Sequence, residues 1–147
     1  MTEAPPFLTF EQVLAFHQVQ LELYGGQTGL RNEGLLYSAL AQPEAGLGDN
    51  YYHSFPYEMA AAYAFHIAEN QPFIDGNKRV ALACCLTFLD LCSITIDDPK
   101  EELYDAMIAI GTRQLSKEGF ADLLERLAGE SDPDGPEGFR TLPAKRF

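Results

Sequence analysis

Within the run Gln71-Pro72-Phe73-Ile74-Asp75-Gly76-Asn77-Lys78-Arg79, a carboxylate, a turn-forming pair and two adjacent cations stand side by side. Asp75-Gly76 is turn chemistry. The apolar stretch that begins at Val80 reads as a helix starting at about Asn77. The amide hydrogens of a first helical turn have no partners inside the helix, and its dipole turns positive charge toward the loop. A phosphate group sits well on such a terminus. Lys78 and Arg79 add charge, and Arg79 adds fork-shaped donors. Asp75 would repel a bare phosphate, so its presence suggests Mg²⁺ shared between carboxylate and phosphate. The plainer reading is a pair of solvated cations at a helix start, with Asp75 pairing to Arg79 four residues on.

The elements that must hold this run follow from periodicity and caps. Thr9, with Gln12 at the capping-box position, opens a first helix. Val13, Phe16, His17, Leu21 and Tyr24 recur on it at helical spacing, and Gly25-Gly26 ends it. Asn32 caps a shorter second helix over 33–42, which Pro43 stops. A loop rich in Gly, Asn and Tyr spans 44–54. Ser54 is then expected to cap a third helix, with Pro56 in its first turn, running to about Asn70. The fourth spans 77–92 and is expected to be the central, most buried element through Val80, Ala83, Cys84, Leu86, Thr87 and Leu91. Ile94-Thr95-Ile96 is a short extended connector. Asp98-Pro99 starts a fifth helix and Ser116 a sixth, through Leu127. The fold class is therefore all-α: a six-helix bundle over residues 1–128, with a Gly- and Pro-rich tail over 129–147 expected to be flexible.

Composition narrows the possible partners. The chain has 147 residues, enough for one domain with a real core, and carries 22 acidic against 10 basic side chains for a net charge of −12. Such a surface repels nucleic acid and anionic membrane, so direct binding to either is not expected. The longest apolar stretch, 80–91, is too short to span a bilayer. The N-terminus MTEAPPFLTFEQ lacks a basic start and an apolar core, so the expected location is the cytoplasm. Cys84, Cys85 and Cys92 crowd one helix and read as reduced core residues, not as a disulfide or metal framework.

The run resembles the signature of the Fic/Doc (Fido) family, in its death-on-curing (Doc) branch: His-x-Phe-x-Asp/Asn-Ala/Gly-Asn-Lys-Arg. Phe73, Asp75, Gly76, Asn77, Lys78 and Arg79 match it, and Gln71 replaces the His. The similarity extends through Leu21 to Gly26, Gly29-Leu30-Arg31, Gly34-Leu35-Leu36, Ser38-Ala39-Leu40 and the helix before the motif. It covers about 8–127.

That resemblance implies a Fido-fold toxin of a toxin-antitoxin pair, a kinase-type enzyme moving the γ-phosphate of ATP to a hydroxyl of a translation elongation factor (EF-Tu). It also implies the roles. Asp75 would position Mg²⁺, while Gly76, Asn77, Lys78 and Arg79 would hold nucleotide phosphates. Phe73 would anchor the loop, and Lys78, where nucleotidyl-transferring members have a small Gly, makes AMP transfer the less favoured reaction. The replaced His is the family's base. Gln71 cannot remove a proton, but its amide can orient a hydroxyl. Because phosphoryl transfer relies chiefly on positioning and charge, Gln71 leaves either a slow enzyme or an inactive binding module acting through its antitoxin. Of the three histidines, His17 and His66 read as core residues, and His53, in the loop that covers the site in the family, is the candidate substitute base. The family's inhibitory Ser/Thr-x-x-x-Glu-Gly/Asn pattern is missing, since Thr28 is followed by Asn32. Restraint is therefore expected from a separate Phd-like antitoxin, whose terminal segment folds into a groove.

Overall fold

The computed structural model describes residues 4–129; the expected tail lies outside them, apart from Gly129. Six helices and one small hairpin follow in order: α1 Phe10–Tyr24, α2 Glu33–Ala41, β1 Gly46–Leu47, β2 Asn50–Tyr51, α3 Tyr57–Asn70, α4 Asn77–Leu91, α5 Glu102–Gly111 and α6 Lys117–Gly129. The two strands pair antiparallel, Gly46 with Tyr51 and Leu47 with Asn50. Strands this short carry no alternation that a sequence could betray, so 44–54 reads as plain loop. Among the described residues, no helix is long and apolar enough to cross a membrane.

Local chemistry sets most boundaries. The Thr9 capping box is complete, and the Gly25 N–H returns to the Leu21 carbonyl to close α1. Asn32 Oδ1 accepts from the Leu35 amide at 3.1 Å, starting α2. Ser116 Oγ accepts from the Gly119 amide at 3.0 Å, starting α6. Two expected starts are corrected. Ser54 does not cap α3, whose N-cap is Pro56 with no side-chain hydrogen bond. Instead the Ser54 amide donates to the Glu58 carboxylate. Asp98 does serve the fifth helix, accepting from the Glu102 and Leu103 amides at 2.7 and 2.9 Å. That helix nevertheless begins only at Glu102, because Glu101 takes a left-handed conformation at φ 55°.

The core forms where α3 lies against α4. α3 also meets α2, α5 and α6, and α4 meets α1. Ala60, Ala61, Ala62 and Ala64 of α3 are all buried, and such small side chains let two helix backbones approach closely. α4 buries Val80, Ala81, Leu82, Ala83, Cys84, Cys85, Phe88 and Leu89. The face differs in part from the expected one. Leu86 and Thr87 are half-buried, and Leu91 is 51% exposed. A run that is apolar nearly all round leaves its inner face undetermined. Cys84 and Cys85 are free thiols, and burial pushes both up from the usual range. The Tyr63 hydroxyl, fully buried, accepts from the Leu8 amide at 2.8 Å.

Candidate active site

The loop between α3 and α4 is held from three sides. At its start, Gln71 closes α3 in the left-handed region (φ 48°, ψ 58°), its amide bonded to the Ile67 carbonyl. A residue with a Cβ pays about 1–2 kcal/mol for that conformation, so neighbours must hold it. Arg31 does so. Its Nε donates to the Gln71 carbonyl and its Nη2 to the Asn70 carbonyl, both at 2.8 Å. Segment 29–32 runs beside the loop: the Arg31 and Asn32 amides both donate to the Pro72 carbonyl, and the Ile74 amide to that of Gly29. Inside the loop, Asn77 bonds Phe73 twice, with Oδ1 accepting from the Phe73 amide at 2.9 Å and Nδ2 donating to its carbonyl at 3.0 Å.

The third side is α1. Phe73, 1% exposed, stacks on the His17 ring at 3.8 Å between centroids. His17 Nε2 lies 2.7 Å from the Asp75 carbonyl; a carbonyl only accepts, so this nitrogen carries the proton. Burial lowers the His17 pKa first, and the Arg79 charge lowers it further against the opposing Asp75 contact. Neutral His17 is thus a fixed brace. The exposed Asp75 carboxylate turns toward the end of α1, where Oδ2 accepts from the Gln27 amide at 3.1 Å and Oδ1 from the Gly76 amide at 2.9 Å. Gly26 (φ 126°) permits this approach, since a Cβ there would stand 2.9 Å from Asp75 Oδ2.

Gly76, left-handed at φ 79°, turns the chain into α4, whose first turn has no side-chain cap. The amides of Asn77, Lys78 and Arg79 therefore open the helix without intrahelical partners. Arg79 is 4% exposed. Its Nη2 donates to the Gly25 carbonyl at 3.0 Å, its guanidinium lies 5.6 Å from the Tyr24 ring centre, and its buried Nε has no hydrogen-bond partner among the described residues. A buried guanidinium with an unmet donor at a bare helix terminus is suited to an anion. Lys78 diverges from it. Its stem runs beside the end of α5, where a Cβ on Gly111 would lie 3.2 Å from Cε and 3.7 Å from Nζ. The negative end of the α5 dipole favours an ammonium there.

His53 packs beside His66 of α3. Its ring lies 6.5 Å from that of His66, edge to face, and Lys117 Nζ is 3.2 Å from His66 Nε2. Burial, then Lys117 and His53, pushes the His66 pKa down to about 4. Burial and Lys117 also lower His53, against Glu58, the Gln42 backbone and Glu118. His66, expected in the core, is half-buried. The residues that brace the loop include His17, Gln27 and Arg31, none singled out as a site residue from sequence. His17 sits on an apolar stripe that gave no sign of its role, and Arg31 sits 40 residues before Gln71.

Residues 7–89, which include α1, α2, α3 and the motif loop, match the model of the Fic/DOC family. The chain belongs to the Fic/DOC family. It is 29% identical over 122 residues to the protein kinase Doc of Escherichia phage P1, covering 83% of this chain and 95% of that protein. It is 31% identical over 123 residues to toxin Doc of Mycolicibacterium smegmatis, covering 82% of this chain and 90% of that one. Both relatives are Doc proteins, which sets the chain in the Doc branch. The Fic/DOC match ends at residue 89, so α5, whose end lies beside Lys78, stands outside the matched segment.

Proposed function

We propose that this protein is a Doc-like toxin of a toxin-antitoxin pair that transfers the γ-phosphate of ATP to a hydroxyl of a translation elongation factor, EF-Tu. The observation that carries the reading is the uncapped start of α4 with Arg79 buried beside it and its Nε unmatched. In this reading the amides of Asn77, Lys78 and Arg79 receive nucleotide phosphates, and the guanidinium neutralises them at close range. Asn77 spends its side chain on Phe73, so its contribution to phosphate is the backbone N–H. Lys78 supplies charge from the α5 side.

Mg²⁺ fits the residues present in one mode. Among the described residues, no group of three or more His, Cys, Asp or Glu could hold a metal, which excludes an all-protein cage there. The Asp75 oxygens accept the Gln27 and Gly76 amides, and an ionised carboxylate oxygen that accepts hydrogen bonds can also meet a cation. One carboxylate, phosphate oxygens and water are the usual company of this ion, and it would neutralise charge on the phosphates. The target hydroxyl attacks the γ-phosphorus; an O–P bond forms, the bond to the β,γ-bridging oxygen breaks, and ADP leaves. Gln71 orients the hydroxyl by accepting its hydrogen bond, and the proton passes to the phosphoryl oxygens or to water as transfer completes. A Phd-like antitoxin restrains the enzyme from outside.

One observation favours a second reading, an inactive binding module working through its antitoxin. Gln71 is no base, and the His53 ring packs edge to face against His66 of α3. Incubating the protein with purified elongation factor and ATP labelled at either the α- or the γ-phosphate separates the cases. Label from γ alone supports the phosphotransferase, label from α means AMP transfer, and no label leaves the module.

A further inference from the structure

We infer that Arg31 is a positioning residue for the active site, setting the direction in which side chain 71 enters it. This deepens the reading above and rests on it where turnover is concerned. Residue 71 carries the family's reactive position, yet it is not on a helix; it is the left-handed residue that closes α3. Its side-chain direction therefore depends on a backbone conformation that non-glycine residues resist. Arg31 supplies the restraint. Two nitrogens of one rigid guanidinium meet two successive carbonyls, Asn70 and Gln71, at 2.8 Å each. A planar fork fixes the relative orientation of its acceptors, which a single flexible donor cannot. The backbone of the same residue is bound too, its amide donating to the Pro72 carbonyl at 2.7 Å. Arg31 thus grips 70, 71 and 72 together. It stands just before Asn32, the cap of α2, and Asn70 returns a bond to the Leu35 carbonyl at 3.0 Å. The fork's base is thereby tied to a helix, not to a mobile loop. Its charge also lies at the negative end of α3, next to position 71.

The test places a reporter at position 71. In Gln71→His, the introduced imidazole is titrated by NMR, alone and combined with Arg31→Gln, Arg31→Lys or the control Lys100→Gln, at an exposed position between α4 and α5. Arg31→Gln removes a neighbouring charge, so the imidazole should titrate higher by about half a pH unit; Lys100→Gln should leave it unchanged. Arg31→Lys keeps the charge and should leave the titration in place, but it lacks the fork. Phosphate transfer by that double variant should fall about tenfold, with ATP affinity and melting temperature held. An imidazole indifferent to Arg31→Gln overturns the inference, and so does a loss of transfer that ATP affinity and melting temperature share in proportion. If no variant transfers phosphate, the enzymatic reading fails, while the titration still decides whether Arg31 governs position 71. If Arg31→Gln does not fold, Arg31→Lys decides it through the split between transfer and binding.

Discussion

Removing the Arg79 side chain probes the proposed anion site where its chemistry is most concentrated. Arg79 is 4% exposed, gives one N–H to the Gly25 carbonyl at 3.0 Å and leaves Nε unmatched. If nucleotide phosphate meets the remaining donors, Arg79→Ala removes charge-assisted hydrogen bonds worth about 1.5–3 kcal/mol. The Kd for Mg·ATP should then rise roughly 10- to 150-fold. The same change breaks the Gly25 bond, at a cost of about 1 kcal/mol, so the melting temperature should fall by roughly 2–4 °C with the fold retained. Arg79→Lys keeps charge without the fork and should bind between the two. Titration calorimetry reads the affinity and circular dichroism the melting. A parent chain that does not bind Mg·ATP, or a folded Arg79→Ala that binds it equally, would refute the reasoning.

Two further outcomes follow from the geometry. Asn77→Ala strips the Phe73 amide and carbonyl of both partners and should cost about 2–3 kcal/mol, lowering the melting temperature by roughly 4–12 °C; Asn77→Asp, which keeps the acceptor, should lose less. Folding holds the His66 pKa at about 4, below its ordinary 6.5. The neutral form is therefore the one that folding favours, and its contribution to stability is complete above 6.5 and lost as pH falls from there through 4. His66→Asn should flatten that loss in urea midpoints measured at pH 7 and 5, and equal slopes in parent and variant would contradict the assignment.

Much of the fold was legible because its signals are local. Thr9, Asn32, Gly25 and Ser116 each act within one helical turn, and each works where the sequence placed it. Ser54 misled because Pro56 takes the N-cap position and the Ser54 amide turns to Glu58 instead. The inner face of α4 was hard to read because nearly every side of it is apolar, and Leu91 went to solvent. The motif itself announced Phe73, Asp75, Asn77 and Arg79 through type and spacing. What braces it did not. His17 meets Asp75 across 58 residues of sequence, and Arg31 reaches Gln71 across 40. Such contacts belong to tertiary packing, which a local pattern does not encode. Lys78 next to Gly111 belongs to the same class.

The central claim is that the site lacks only its base. Gln71 and His have similar reach, so Gln71→His should cost little in packing. A base acts in the transition state more than in binding, so the affinity for ATP should stay nearly constant. The decisive measurement is therefore transfer of labelled γ-phosphate to purified elongation factor by Gln71→His beside the parent chain. The account predicts a rise of about 10²-fold or more. A Gln71→His protein that binds ATP as the parent does, yet transfers no phosphate, would contradict it.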